Sequence, residues 1–408
     1  MNAINIISSA DHLIRGYRRT EKASGWKDST QRYGLNLLKE TERLQSELLD
    51  GSYEQTKGTE FTVNERGHTR LIKAMTTRDT VLQHSLCDNI LLPRLRPYLI
   101  HDNGASLKGK GVSFTRRRLE EQLHKYYRHH GNDGYVLLID FRKFFDNIRH
   151  DKLIDAIHEK IPDDSLRQLI TKLLKMYEVD VSYTNDENIE TKVFDALAYA
   201  TIDKRTCTGT RFMRKSLGIG ASISQIAGVF FPTPIDTYCK TVMRCKYYQA
   251  YMDDRIVVHE SKAFLQKLLQ DIRRIADALG LFINERKTQI VKLSHGFTWL
   301  KVRYILTDTG KLVKRIPRDI ITRERRKLKK LAKKVMLGEI TLTKYREQYK
   351  SWRGDKKAYH AYHTLQNMDQ LYKECLQWIT KHRKNNRKSL TSDSNFPATC
   401  RTLATTSS

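Results

Sequence analysis

The sequence predicts an α+β protein, and three observations carry that expectation. Short apolar runs of strand length, such as YVLLI at 135–139 and RIVVH at 255–259, sit among longer stretches with helical spacing. YYQAYM and RIVVH flank a tight acidic turn, as paired strands do. A chain of 408 residues is long enough for two or three domains or subdomains around a sizeable core.

The elements follow in order. Residues 34–48 place apolar side chains at helical spacing, and Asp50-Gly51-Ser52 ends that helix. FTVNERGHTRLIKAM alternates around a polar turn at 64–68 and reads as a two-stranded ribbon. A helix is expected over 80–92, stopped by Pro93, and a basic helix over 114–130 carrying Tyr126 and Tyr127. The run 135–140 ends abruptly in Asp140, as a buried strand does when its C-terminal end opens onto a site. Helical pattern returns over 151–178, broken by Pro162, whereas 180–215 lacks clear period and reads as an insertion or loop region. After the acidic hairpin come a helix over 261–279 and two strand candidates, INERKTQIVKL and FTWLKVRYIL. Residues 311–350 hold fifteen basic against four acidic residues, mostly in helical pattern. From about Asn385 a Ser/Thr/Asn-rich tail has no apolar periodicity and is expected to be disordered.

Lys and Arg outnumber Asp and Glu by 74 to 46, a net charge of +28. A surplus that large points to a polyanionic partner, most simply nucleic acid. The six cysteines are scattered with no C-x-x-C pair, which argues against a zinc site or a disulfide framework. The N-terminus lacks the order of a signal peptide. The longest uncharged run, Ser216–Ile235, contains three Gly, two Pro and three Ser and makes a poor membrane span. The expectation is a cytoplasmic protein without a membrane partner.

Three pieces carry chemistry: VLLIDFRKFFDNI, LGIGASISQIAGVFFPTPID and YMDD. An Asp-Asp pair at a hairpin tip is by itself ordinary turn chemistry. Two strands that each end in Asp, side by side in one sheet, would instead cluster Asp140, Asp253 and Asp254, and such clustering calls for a cation to offset it. Mg²⁺ suits a few carboxylates plus phosphate oxygens, and two ions about 3.5–4 Å apart stabilise attacking and leaving oxygens in phosphoryl transfer.

From about Leu37 to Tyr372 the chain resembles a reverse transcriptase, most specifically in IDFRKFFDNI, YMDD and ERKTQIVKLSHGFTWLKVRY. The resemblance implies a right-hand polymerase fold: an N-terminal helical extension at 1–60, fingers at 61–134, a palm of antiparallel sheet plus helices at 135–310, and a helical basic thumb at 311–384. Within the palm, fingers or insertion elements fall at about 151–215, and the tail covers 385–408. It further implies two Mg²⁺ ions, with Mn²⁺ as a substitute, held by Asp140, Asp253, Asp254 and the Phe141 carbonyl. Lys287 would protonate the leaving pyrophosphate. Arg70, Arg78, Ile219 and Gly220 would meet the incoming nucleotide and template. Tyr251, Met252, Gln225, Trp299 and Lys301 would contact nucleic acid, the last two in a primer-grip hairpin where the family more often has Phe-Leu-Gly. An aromatic ring at Phe145, beneath the ribose, would collide with a 2′-hydroxyl and so favour deoxynucleotides; the alternative for it is a core aromatic beside Phe144.

With only a short tail after the expected thumb, no RNase H or integrase domain is expected, and the resemblance narrows to compact bacterial enzymes. Many relatives read Gln-Gly-x-x-x-Ser-Pro where this chain has Ile219-Gly220-Ala221-Ser222-Ile223-Ser224-Gln225. That pattern is similar to enzymes of diversity-generating retroelements, with antiphage-defence reverse transcriptases as the close alternative. The expected partners are template RNA, a primer or cDNA strand, a dedicated structured non-coding RNA and an accessory protein. A non-catalytic RNA-binding protein is the alternative of another class.

Overall fold

The computed structural model describes residues 2–65 and 68–383; the tail expected to be disordered lies outside them. The described chain forms two compact units, one of residues 1–122 and 134–290, the other of 123–133 and 291 onward. Helices and antiparallel sheets make up both, the α+β composition that the apolar runs predict.

In the first unit, helices fill most of residues 3–49. Strands β1 (Thr59–Glu65) and β2 (His68–Ala74) pair antiparallel as the expected ribbon. The next helix does not stop at Pro93. It runs from Thr77 to Leu86, passes through a π-turn at Cys87–Leu91 and resumes over Leu92–Leu95. The wider turn restarts the helix with Pro93 in its opening positions, where a missing N–H costs little.

The central sheet contains β3 (Tyr135–Ile139). A two-stranded ribbon of β4 (Val179–Asp180) and β5 (Phe212–Met213) brackets the segment without clear period. The acidic hairpin is β6 (Tyr247–Tyr251) and β7 (Asp254–His259), and β8 (Gln289–Lys292) completes a sheet of order β6-β7-β3-β8. Val136 to Ile139 and Ile256 to Val258 are all buried. Uninterrupted apolar runs suit strands covered on both faces. The outer edge of β6 is capped by residues 102–104, whose backbone exchanges hydrogen bonds with Ala250.

The second unit holds β9 (Phe297–Trp299), β10 (Val302–Leu306) and β11 (Leu312–Arg315) in one antiparallel sheet. Helices Arg318–Met336, Leu342–Asp355 and Tyr362–Arg383 follow, packed around Leu328, Val335, Tyr345, Tyr349, Leu371 and Ile379. β11 hydrogen-bonds to β10, so 291–310 goes with the helices that follow rather than with the central sheet. Among the described residues, no helix is long and apolar enough to cross a membrane.

Candidate active site

The turn between β6 and β7 is two residues long, with Tyr251 paired to Asp254. Met252 has φ +53°, a left-handed conformation that an unbranched L-residue adopts only when its surroundings hold it. The holder is Arg255. It is 1 % exposed, its guanidinium donates to the Met252 carbonyl, and its Nε lies 3.3 Å from Asp236 Oδ1. Asp236, also buried, accepts from the Tyr248 hydroxyl at 2.5 Å. The guanidinium sits 5.3 Å from the Phe141 ring centroid. Burial pulls the Arg255 pKa down, but Asp236, with Tyr248 and Asp253, outweighs that and holds it above its ordinary value.

Asp140 follows β3 directly. One step beyond the pairing of Ile139 with Arg255, it comes across from Asp254. The loop 282–288 fastens it from the other side. Asn284 N–H donates to the Asp140 carbonyl at 2.8 Å, and Asn284 Nδ2 donates to Oδ2 at 2.6 Å. Lys287 Nζ reaches Oδ1 at 3.1 Å, and the Asp140 N–H lies 3.3 Å from Thr288 Oγ1.

The charge of Asp140 bears on both turn carboxylates. Burial raises the Asp253 pKa and the Asp140 charge adds to that, with Arg255 and Lys287 opposing. Asp254 is pushed up to about 7, by burial first and then by Asp253 and Asp140. Like charges in one half-buried place favour a proton or a metal ion between them. Among the described residues no three His, Cys, Asp or Glu side chains form a ready-made cage. Hard oxygen donors of this kind still suit Mg²⁺, which binds through one or two carboxylates and completes its shell with water and substrate phosphates.

Phe144 and Phe145, equivalent in the sequence, have different surroundings. Phe144 is 4 % exposed and belongs to the core; Phe145 is only half-buried. The Phe145 ring lies against Gly228, where an added Cβ would come within 2.9 Å of it, so a residue without a side chain gives the ring its room. The Gly-Ser loop leads into the helix Ser222–Phe230. Gly220 is exposed with φ +100°, Ile219 is half-buried and Gln225 is exposed. Ser222 Oγ lies 2.9 Å from His84 Nδ1, and the Ile223 N–H points to Gln83 Oε1 at 3.4 Å.

The remaining expected residues are dispersed. Arg70 is exposed on β2. Arg78 is turned inward: it pairs with Glu47, donates to the Glu54 carbonyl at 3.1 Å and stacks 4.8 Å over the Tyr53 ring. Tyr251 and Met252 are half-buried beside the carboxylates. Trp299 and Lys301 belong to the second unit, Trp299 buried and Lys301 exposed at the turn between β9 and β10. Sequence reasoning missed Asn284, Arg255 and Asp236. Asn284 lies three residues before Lys287, immediately ahead of the ERKT motif and within the strand candidate INERKTQIVKL, whereas nothing local marks Arg255 or Asp236 as partners.

The family described as reverse transcriptase (RNA-dependent DNA polymerase) matches residues 61–304. Among solved structures, telomerase from Candida albicans in complex with a TWJ fragment of telomeric RNA is similar over 81% of this chain and 55% of that chain, at 12% identity and a TM-score of 0.43. Apo telomerase from Candida tropicalis, truncated from its C-terminal domain, is similar over 66% of this chain and 58% of that one, at 13% identity and the same TM-score of 0.43. The chain thus spans less than two thirds of either telomerase. No curated protein matches it.

Proposed function

The chain belongs to the reverse transcriptase family of RNA-directed DNA polymerases, and from that premise we propose that it extends a primer on an RNA template with dNTPs, using two Mg²⁺ ions and the carboxylates of Asp140 and Asp253. The observation that carries this reading is the convergence of Asp140, at the end of β3, with Asp253 and Asp254 at the β6–β7 turn, where the Asp140 charge helps raise the pKa of the other two.

Asp140, Asp253 and the Phe141 carbonyl would hold the ions, with Asp254 assisting. Such ions neutralise phosphate charge and stabilise the attacking and leaving oxygens. The protein's own groups do the rest. Asn284 holds Asp140 through two hydrogen bonds, one to its backbone carbonyl and one to its carboxylate. Arg255 sets the turn that presents Asp253. Lys287 brings a mostly exposed ammonium to the site, from which it can meet the pyrophosphate and give it a proton. In this reading the half-buried Phe145 ring would exclude a ribose 2′-hydroxyl, and Ile219 with Gly220 would face the nascent pair. Template RNA and primer follow from the activity, and the net charge of +28 suits both.

The role we favour is that of a diversity-generating retroelement enzyme. Its support is the apolar Ile219, which cannot make the polar contact of a Gln and so loosens discrimination on the template. One assay tests the proposal at both levels. Primer extension on RNA should require Mg²⁺, and Asp140→Asn or Asp253→Asn should lower it by at least about 10²–10³-fold, the scale of losing one electrostatic stabiliser. Asp254→Asn should cost less. Undiminished synthesis in Asp140→Asn and Asp253→Asn rejects the site. Sequencing the products and the co-purifying RNA then reads the role: adenine-directed errors in a template repeat support it, and repetitive self-primed cDNA with faithful copying replaces it with a defence role.

A further inference from the structure

The segment between β4 and β5 has a small core of its own, with Val179, Val181, Phe194 and Met213 buried and Tyr183 and Tyr199 packed against them. This segment and the residues that follow it grip a single stretch of chain, residues 145–150, from two sides. On one side Asn147, fully buried, closes a pair of hydrogen bonds with the Phe194 backbone. Its Oδ1 accepts from the Phe194 N–H at 2.8 Å and its Nδ2 donates to the Phe194 carbonyl at 3.1 Å. Asp146 Oδ2 accepts from the Ala196 N–H at 3.1 Å, and Lys143 pairs with Asp195 at 2.9 Å. On the other side the Leu217 N–H donates to the carbonyl of Phe145 itself at 2.9 Å. Ser216 N–H donates to the Ile148 carbonyl at 3.1 Å, and His150 Nε2 lies 2.6 Å from the Ser216 carbonyl.

Phe145 to Asn147 form a three-residue 3₁₀ turn. The turn has a few bonds of its own, from the Asn147 N–H to the Phe144 carbonyl at 3.1 Å and from Asn147 Nδ2 to the Lys143 carbonyl at 2.9 Å, and the bonds from 194–196 and 216–217 tie it to the rest of the chain. A buried side-chain amide with donor and acceptor both satisfied is a stiff fastening, because the alternative is an unpaired polar group in the interior. A segment that merely decorated the surface would not be joined to the chain in this way.

We propose that the 179–217 segment is the seat of sugar selection: by clamping the 145–147 turn through Asn147 and Asp146 it fixes the Phe145 ring, and so sets how strictly deoxynucleotides are preferred to ribonucleotides. Asn147, Asp146 and Phe194 are positioning residues that act through Phe145. This inference rests on the reading of Phe145 as the gate.

The test is single-nucleotide primer extension by the full chain, with kcat/KM measured separately for dGTP and rGTP. Asn147→Ala removes the amide pair with Phe194 together with the side chain's bond to the Lys143 carbonyl. Ala196→Pro is the gentler variant. Position 196 opens the helix Ala196–Tyr199, where proline is tolerated. Asp195 before it is already extended (φ −129°, ψ 103°), as a residue preceding proline must be. That change removes little more than the N–H that meets Asp146.

Both variants should raise the rGTP:dGTP ratio of kcat/KM about tenfold, within the range that a small displacement at a reacting centre produces. Phe145→Ala should raise it at least as much, and adding Ala196→Pro to Phe145→Ala should raise it no further, since one acts through the other. If Phe145→Ala raises the ratio while Ala196→Pro leaves it at the parent value, the clamp is overturned and the gate stands. Additive effects in the double variant also overturn the clamp. A ratio unmoved by Phe145→Ala overturns the gate, and the clamp's route through it.

Discussion

Arg255 shows how much a single residue decides in this site. It lies directly beside the two carboxylates of the β6–β7 turn in sequence, yet its side chain points into the core, toward Asp236 and the Met252 carbonyl. Removing one member of a buried ion pair leaves the other charged, desolvated and alone. Arg255→Met should therefore destabilise the fold by about 3–5 kcal/mol, measured by denaturant unfolding. The companion change Asp236→Asn in the same chain should recover part of that loss, because the stranded charge is gone. A loss below about 1 kcal/mol, the scale of a surface pair, would mean that the pair does not hold the turn.

At the scale of elements, the Gly-Ser loop is tied to the helix Thr77–Leu86 through Ser222 and His84. Burial pulls the His84 pKa down to about 4, helped by the nearby charge of Arg19 and opposed by Asp88. Folding keeps this imidazole neutral, whereas in the unfolded chain it titrates near 6.5. As pH falls from about 6.5 toward about 4, the unfolded chain takes up a proton that the folded one refuses, so stability drops across that window and levels below it. Since the ring is only half-buried, the expected loss is roughly 1–2 kcal/mol rather than the full value of the shift. The difference between parent and His84→Gln in urea unfolding against pH isolates it. Parallel curves would show that the contact does not sense pH. The Pro93 region is instructive in the same way: proline ordinarily ends a helix, but a π-turn just before it lets the helix restart.

At the scale of the whole molecule, the net charge of +28 makes a quantitative claim about RNA binding. Each phosphate neutralised on a single strand contributes about −0.7 to the slope of log affinity against log salt, so a chain contacting six or more should show a slope of about −4 or steeper. A slope near zero would mean that the basic surplus does not face the nucleic acid. Much of the architecture was legible in advance, because it is written locally. Apolar runs betray β3 and β7, alternation around polar residues betrays the ribbon of β1 and β2, and the abrupt end of a strand in Asp140 beside an acidic hairpin betrays the carboxylates. What was not legible depends on partners far apart in the chain. Asn284 reaches Asp140 across 144 positions, and Asn147 meets Phe194 across 47. Hydrogen bonds of that reach leave no period in the sequence. The distinction between Phe144 as core and Phe145 as half-exposed ring belongs to the same class, since neighbouring residues of one type differ only in what the fold packs against them. The sequence by itself determined which groups could do chemistry; tertiary structure alone decided what holds each of them in place, because orientation comes from contacts that the linear chain does not record.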